Sequence, residues 1–261
     1  MDHAFWHKQT KDKPLFPDLI WNRPENRLHA GKLLIVGGNL HDFKAPADAY
    51  SAAMKAGAGT VRVLLPDTLS KTVGAVFPEA EFAKSTPSGS FSVEALAELL
   101  AAAAWADGVL LAGDFGRNSE TAILLERFLE KYDGRATLTK DAVDYFVKSP
   151  QAVLARPDTT LVLSFSQLQP LASSVGFQSP LTYSMGLLKF VENLHHFTAE
   201  YHVNILTCFE KNTCVGVKSQ VSTTKLENPP KIWRVQTAAA ASVWWLQNPA
   251  KPFEALTTAA L

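Results

Sequence analysis

The segment from Gly31 to Pro66 most strongly constrains what this chain can fold into. It predicts a buried strand at 32–36, a glycine turn, a helix that ends at Lys55, a second glycine turn and a second strand. Continuous apolar runs of this length are typical of strands covered on both faces of a sheet. A strand, a helix and a strand joined by glycine turns form a βαβ unit, so the sequence predicts an α/β protein with a mostly parallel sheet.

The rest of the chain continues to alternate between helical and extended patterns. Strands are predicted at 107–112, 135–138, 160–164, 203–209, 213–217 and 220–223, the last three partly antiparallel. Helices are predicted at 67–76, 92–106, 118–131, 141–147, 168–175, 180–201, 235–247 and from 252, with Asp67, Ser92 and Asn118 as the caps of the first three. This order predicts helices on both faces of the sheet, as in a three-layer α/β/α domain.

The domain is expected to span residues 31–261, because we find no repeat, low-complexity block or linker within it. Residues 1–30 are rich in proline, asparagine and charge, and are predicted to form an N-terminal arm. Four aromatic residues indicate that the arm packs on its own domain or on a neighbouring subunit: Phe5, Trp6, Phe16 and Trp21. The second arrangement would make the protein a homo-oligomer.

Composition excludes several classes of function. The 25 basic and 25 acidic residues balance, so neither nucleic acid nor an anionic membrane is an expected partner. No window approaches the roughly 18 apolar residues of a membrane span, and the first residues lack the apolar core of a signal peptide. The two cysteines, Cys208 and Cys214, lack the spacing of a zinc site and are expected to be free thiols. We therefore expect a cytoplasmic protein without a metal site.

Two glycine turns are the strongest candidates for a functional site. Gly37-Gly38-Asn39 follows the first buried strand, and Gly113-Asp114-Phe115-Gly116-Arg117 follows a later one and leads into a helix. Both lie at strand carboxyl ends, where open α/β sheets bind ligands, and the second could place backbone N–H groups and Arg117 against an anion. Neither matches a P-loop or a dinucleotide fingerprint. Each turn could equally be purely structural.

Other chemistries have weaker support. The seven histidines show no metal-ligand spacing, and no G-x-S-x-G elbow is present. Cys208 has apolar neighbours and no identifiable partner, which argues against a nucleophile. The tryptophans at 233, 244 and 245 are most simply core or interface residues.

Together, the two turns resemble motifs of the ADP- or ATP-dependent NAD(P)H-hydrate dehydratases, which belong to the ribokinase-like superfamily. The first family motif reads G-x-x-x-x-x-G-G-S, then G-A-P, an alanine-rich helix and G-A-G; the second reads A-D, then apolar residues and G-P-G-L-G-R. The matching segments here are Gly31, Gly37-Gly38-Asn39, Lys44-Ala45-Pro46, Gly57-Ala58-Gly59, Ala106-Asp107 and Ala112-Gly113-Asp114-Phe115-Gly116-Arg117. The likeness extends from about residue 31 to 132 and then fades, although the order of elements still fits.

The resemblance implies a ribokinase-like fold and an ancestry in the repair of hydrated nicotinamide cofactors. In the family, a nucleotide phosphorylates the ring hydroxyl and loss of phosphate restores NADH or NADPH, so the implied ligands are ADP or ATP and NAD(P)H or its hydrate. The substrate-binding positions that it implies are Asn39, Ala45, Gly113, Gly116, Arg117 and Ser166. The implied nucleotide-binding positions are Thr213 and Arg234.

The family's phosphoryl-transfer turn, G-T-G-D or G-S-G-D, has no counterpart in this chain. Matching the segment from Pro252 to the family's P-x-E-A helix start places the turn on Ile232-Trp233-Arg234-Val235, where Val235 cannot accept a proton. Between Lys218 and Leu261 there is neither Asp nor Gly, and the two carboxylates there are Glu227 and Glu254. Loss of a positioned general base alone typically lowers a rate by roughly 10² to 10⁴.

Other family segments are altered too. The T-P-H-P-x-E loop corresponds to residues 164–169, with Ser166 in place of His and Gln169 in place of Glu. The D-A-D segment corresponds to residues 139–141 and keeps Asp141, and the K-G-x-x-T loop falls near residues 209–213 and keeps only Thr213. The substrate-side turns are thus better preserved than the phosphoryl-transfer parts.

These observations support three hypotheses. The leading one is a ribokinase-like protein that no longer catalyses the nucleotide-dependent step and retains at most nucleotide or dinucleotide binding. The second is an active dehydratase with a rewired site, in which Asp114, at a position where the family has glycine, is the acid or base. The third is a structural or interaction protein whose cleft is filled by bulky side chains, namely Phe43, Phe115, Phe165 and Trp233.

Overall fold

A computed structural model describes residues 3–75, 77–226 and 233–261. Its strands are β1 Trp6–Gln9, β2 Lys32–Gly37, β3 Thr60–Pro66, β4 Ala80–Ala83, β5 Gly108–Gly113, β6 Arg135–Thr139, β7 Thr159–Val162, β8 Asn204–Phe209, β9 Asn212–Val217 and β10 Gln220–Lys225. Its α-helices are α1 Pro17–Trp21, α2 Lys44–Lys55, α3 Ser70–Val73, α4 Leu96–Trp105, α5 Ser119–Lys131, α6 Asp141–Asp144, α7 Gln151–Leu154, α8 Phe165–Ser174, α9 Leu187–Glu200, α10 Trp233–Gln247 and α11 Pro252–Thr258. None of the helices in these ranges is long and apolar enough to cross a membrane.

One mixed sheet forms the middle layer of the domain. The strand order is β1-β10-β9-β8-β7-β6-β5-β2-β3-β4, and only the β8–β9 and β9–β10 pairs are antiparallel. Leu34 and Val36 of β2 belong to a hydrophobic cluster that includes residues of α4, α5, α8 and α9, whereas Leu33 and Ile35 belong to a cluster with α2 and α10 on the opposite face. Because successive side chains of a strand alternate between faces, β2 is buried on both. The predicted three-layer α/β/α architecture is confirmed.

Residues near the N-terminus pack on their own domain, which is one of the two arrangements considered for the predicted arm. The β1 strand pairs in parallel with β10, and the Trp6 indole donates a hydrogen bond to the Thr223 hydroxyl at 3.0 Å. Phe16 and Leu19 pack against Trp244 near α11. Trp21, in contrast, is 84% exposed and anchors nothing here.

Two local predictions were wrong: the cap at Asp67 and the start of the helix predicted at 180–201. Asp67 does not cap the helical turn at 67–73, because its carboxylate accepts a hydrogen bond from the Ser85 hydroxyl and Pro66 is the N-cap residue. Val76, the predicted end of that helix, lies outside the described residues. The helix predicted at 180–201 begins only at Leu187, after a segment of turns. Ser92 and Asn118 do cap, each accepting backbone N–H groups of the helical turn that follows.

The chain reverses its direction of travel across the sheet at β2. From β2 it passes to β3 and β4 on one side, and then returns to β5 on the other side of β2. At the carboxyl ends of β2 and β5 the backbones approach closely: Gly37 lies opposite Gly113, and the Gly38 N–H donates to the Gly113 carbonyl at 3.0 Å. A Cβ atom on Gly37 would overlap the Gly113 carbonyl oxygen. This is the switch point where open α/β sheets form ligand clefts.

We expect Gly37→Ala to lower the free energy of unfolding by about 2 kcal/mol or more, because the added methyl group must push two backbone segments apart in a packed region. Urea denaturation measures the change. Gly186→Ala is the control, since a Cβ there has no neighbour within 4 Å, and its cost should stay below about 1 kcal/mol. Equal costs for the two variants would contradict this account of the switch point.

Candidate functional site

The two predicted glycine turns meet at the switch point. The Asn39 side-chain amide donates to the Asp114 carbonyl at 2.6 Å, and its oxygen accepts the His41 N–H at 2.8 Å. Asn39 therefore ties the turn after β2 to the turn after β5. The Asn39 amide is used within the protein to hold the two turns together.

Asp114 occupies the amino end of α2. One carboxylate oxygen accepts the Ala45 N–H at 2.6 Å, and the other is ion-paired with the Lys140 ammonium group. The Asp114 side chain is 6% exposed, and that of Lys140 is 31% exposed. Ala45, predicted to bind substrate, thus donates its N–H to Asp114, the proposed acid or base.

Asp141 lies behind the second turn. Its Oδ2 atom accepts the Gly116 N–H at 3.1 Å, and its Oδ1 atom is buried with no hydrogen-bond partner in the described part of the chain. Burial raises the pKa of Asp141, against a lowering by the Gly116 N–H, and the nearby Asp114 charge adds to the rise. The Tyr145 hydroxyl donates to the Gly116 carbonyl, and burial raises the pKa of this phenol.

A cleft of about 680 Å³ opens beside this turn, and we call it the outer cleft. Its lining residues are Gly116, Arg117, Asn118, Ser119, Ala122, Asp141, Asp144, Tyr145 and Lys148. The side chains of Arg117 and Lys148 are exposed at this cleft. Asn118 accepts the backbone N–H groups of Glu120 and Thr121 at 2.8 and 3.3 Å and so begins α5. The cleft therefore combines two cations, two carboxylates and the amino end of a helix.

Gln167 connects the remaining parts of this edge, and sequence reasoning did not single it out. Its amide donates to the Lys140 carbonyl at 2.8 Å and to the Asp144 carboxylate at 2.6 Å, while its oxygen accepts from the Arg234 guanidinium at 2.8 Å. Gln167 also forms a capping box with Ser164 at the start of α8. The S-x-x-Q pattern of residues 164–167 is a signal for such a box and could have identified it.

Of the eight predicted binding residues, Gly116 and Arg117 line the outer cleft and the other six do not. Ser166 is exposed and contacts the Ser164 hydroxyl at 2.8 Å. Thr213 is 5% exposed within β9, opposite Cys208. Arg234 is held by Gln167. Gly113 adopts a φ of +103°, and a Cβ there would clash with Lys140, so its role here is to permit the turn.

The aromatic residues proposed to fill a cleft divide into two groups. Phe115 and Phe165 are core residues: Phe115 packs near Phe91, and Phe165 contacts Phe190 and Phe209. Phe43 and Trp233 are half-buried against the core on the α2 and α10 face. The outer cleft is lined by none of the four.

The first turn of α10 carries no acid. Val235 is buried, Arg234 bonds to Gln167, and Trp233 packs partly against the core. Ile232 and Glu227 lie outside the described residues. Within the ranges described, no cluster of three His, Cys, Asp or Glu side chains could hold a metal ion. Burial raises the pKa of the free Cys208 thiol to about 11, which disfavours its thiolate.

Comparison with known proteins relates the chain to cofactor-repair enzymes. No family model matches it. It is 34% identical over 100 residues to the bifunctional NAD(P)H-hydrate repair enzyme Nnr of Methanothermobacter thermautotrophicus, a match that covers 38% of this chain and 19% of that protein. It is 25% identical over 201 residues to the enzyme of the same name from Dictyoglomus turgidum, covering 75% of this chain and 37% of that protein. The chain thus spans well under half the length of these relatives.

Solved structures share the fold. A ribokinase-like superfamily protein from Enterococcus faecalis superposes with a TM-score of 0.73 at 16% identity, covering 99% of this chain and 86% of that one. The ADP/ATP-dependent NAD(P)H-hydrate dehydratase of Bacillus subtilis, co-crystallised with ATP/Mg²⁺, gives a TM-score of 0.61 at 13% identity, covering 94% and 85%. The predicted ribokinase-like fold and the predicted resemblance to the dehydratases are both confirmed.

Asp141→Asn tests the electrostatics of this edge. Because burial raises the pKa of Asp141, the folded protein holds this proton more tightly than the unfolded chain does. The free energy of unfolding therefore falls as the pH rises from the ordinary value of 3.8 to the raised pKa, and this penalty is absent below 3.8. We expect the free energy of unfolding of the variant to rise relative to that of the wild type as the pH increases from about 3.5 to about 7.

Urea denaturation across that range measures the difference in free energy of unfolding. The exposed Asp12→Asn variant controls for loss of one negative charge. A difference between Asp141→Asn and the wild type that does not grow with pH would contradict the assignment.

Proposed function

We propose that this relative of the NAD(P)H-hydrate dehydratases binds a nucleotide in the outer cleft and does not catalyse nucleotide-dependent dehydration. The observation that carries the proposal is the state of Asp114, whose two carboxylate oxygens are both engaged in a buried position. A general base needs a lone pair within about 3 Å of the proton that it removes. Asp114 would have to leave both Ala45 and Lys140 to act as one.

Asp141 and Asp144, the two acids that line the outer cleft, do not occupy the position of Asp114. Asp141 uses Oδ2 for the Gly116 N–H, and its Oδ1 is inaccessible to solvent. Asp144 accepts a hydrogen bond from Gln167 at 2.6 Å through Oδ1 and is otherwise exposed at the outer cleft. The α10 start offers Arg234 and Val235 where the family resemblance places the base and the anion hole. These observations support loss of phosphoryl transfer through two independent parts of the site.

The outer cleft has the properties of a small-molecule site. Its volume of about 680 Å³ falls within the range of roughly 300–1,000 Å³ that is typical of ligand pockets. Arg117 and Lys148 could bind a phosphate near the amino end of α5. The Asp144 carboxylate could accept hydrogen bonds from ribose hydroxyls. Two cations balanced by two carboxylates favour a ligand that carries both phosphate and hydroxyl groups, such as ADP, ATP or NADH.

Removal of both cations should weaken nucleotide binding. In Arg117→Ala/Lys148→Ala we expect affinity for ADP to fall at least about tenfold, because hydrogen bonds to charged groups contribute roughly 1.5–3 kcal/mol each. Isothermal titration calorimetry with ADP, ATP and NADH measures this. Lys131→Ala, at the far end of α5, is the matched control and should bind like the wild type. If the wild type binds none of the three ligands, the result would instead support a structural or interaction protein.

The catalytic part of the proposal has a separate assay. We expect no ADP- or ATP-dependent return of NADH absorbance when the protein is mixed with NADH hydrate. Activity in the wild type that disappears in Asp114→Ala would overturn this part and establish the rewired-enzyme hypothesis. Binding without activity would support the proposal as stated.

A further inference from the structure

The amino end of α2 is capped both locally, where Asp42 accepts the Lys44 N–H at 2.9 Å, and from a distant part of the chain. Its N-cap residue, Phe43, has no side-chain acceptor, and no cap from that residue is formed. Asp114, 69 residues further along, supplies the missing acceptor to the Ala45 N–H. A carboxylate at the start of a 12-residue helix is favourable because unsatisfied N–H groups and the helix dipole make that end positive.

The Asp114 carboxylate also has a cationic partner from a third element. Lys140 follows β6 and directs its ammonium group at the same carboxylate. Both residues adopt backbone angles that favour glycine, with φ of +60° at Asp114 and +54° at Lys140. Such angles are strained for residues other than glycine. The two turns keep these conformations while they bring one anion and two donors together.

We infer that the Ala45 N–H and the Lys140 ammonium group form an anion site that the protein fills with its own Asp114 carboxylate. A single phosphate oxyanion has the chemistry to replace it, since it accepts hydrogen bonds from a backbone N–H and an ammonium group alike. Asp114 is then the residue that excludes phosphate from this inner position. Ala45, Asp114 and Lys140 all lie outside the lining of the outer cleft.

The charges around the site limit what it can take. Asp141 approaches the same turn, with its Oδ1 atom 2.9 Å from where a Gly113 Cβ would lie. Lys44 is engaged with Asp48 on the exposed side of α2. One ammonium group and one helix end, opposed by Asp141 and by the Asp42 carboxylate that accepts the Lys44 N–H, suit a single phosphate group better than a chain of phosphates.

Asp114→Gly removes the internal anion and suits the backbone, because glycine adopts a φ of +60° without strain. We expect inorganic phosphate at millimolar concentrations to raise the unfolding midpoint of Asp114→Gly in a saturable way, and calorimetry to show at least tenfold tighter phosphate binding than in the wild type. Asp114→Asn should not respond, since its amide oxygen still accepts the Ala45 N–H. Adding Lys140→Met to Asp114→Gly should abolish the gain.

Each outcome bears on the inference. A folded Asp114→Gly that responds to phosphate no more than the wild type does would overturn it. If Asp114→Gly is unfolded, refolding by phosphate but not by sodium chloride of equal ionic strength supports the inference, and no refolding at any phosphate concentration overturns it. Adding Arg117→Ala to Asp114→Gly separates the two sites, because the gain must persist without the outer cleft cation. Loss of the gain in that variant would also overturn the inference.

Discussion

The close contact between the carboxyl ends of β2 and β5 is the constraint on which the rest of this edge depends. Gly37 and Gly113 face each other where no side chain fits, and the Gly38 N–H bonds directly to the Gly113 carbonyl. Because each strand leads into a turn and then a helix, this contact fixes the amino ends of α2 and α5 on one edge of the sheet. The turn that carries Lys140 follows β6, the next strand in the order, and therefore reaches the same place.

The donors that this architecture collects are largely used within the protein. Ala45 donates to Asp114, Gly116 donates to Asp141, and Arg234 donates to Gln167. Polar groups preorganised for a reacting ligand must instead be unsatisfied, or satisfied by water, until the ligand arrives. Internal pairing of this kind leaves fewer free donors for a ligand at this edge. What stays open is the outer cleft, whose cations lie at its exposed side.

The sequence predicted the fold well because its signals are local and periodic. The β2-α2-β3 unit, α5 and the late hairpins have bounds within a few residues of those expected, since apolar runs and glycine turns determine them. The strands β1 and β4 were missed because each has only four residues and lies at an edge of the sheet, where few apolar positions are required. The start of α9 was misplaced because no cap marks it.

The sequence predicts which turns could form the candidate site, but it does not predict the partners of their side chains. Strand ends predict where turns meet, and Asn39, Gly113 and Gly116 do meet. Whether a carboxylate at position 114 faces solvent, attacks a substrate or caps a helix depends on partners that lie 69 and 26 residues away. The bond between Gln167 and Arg234 spans 67 residues and links α8 to α10 in the same way. A glycine-to-aspartate difference in a motif is therefore ambiguous in sequence. Here the geometry gives it meaning, because the Asp114 carboxylate accepts the Ala45 N–H at the start of α2, where the cap residue Phe43 has no side-chain acceptor.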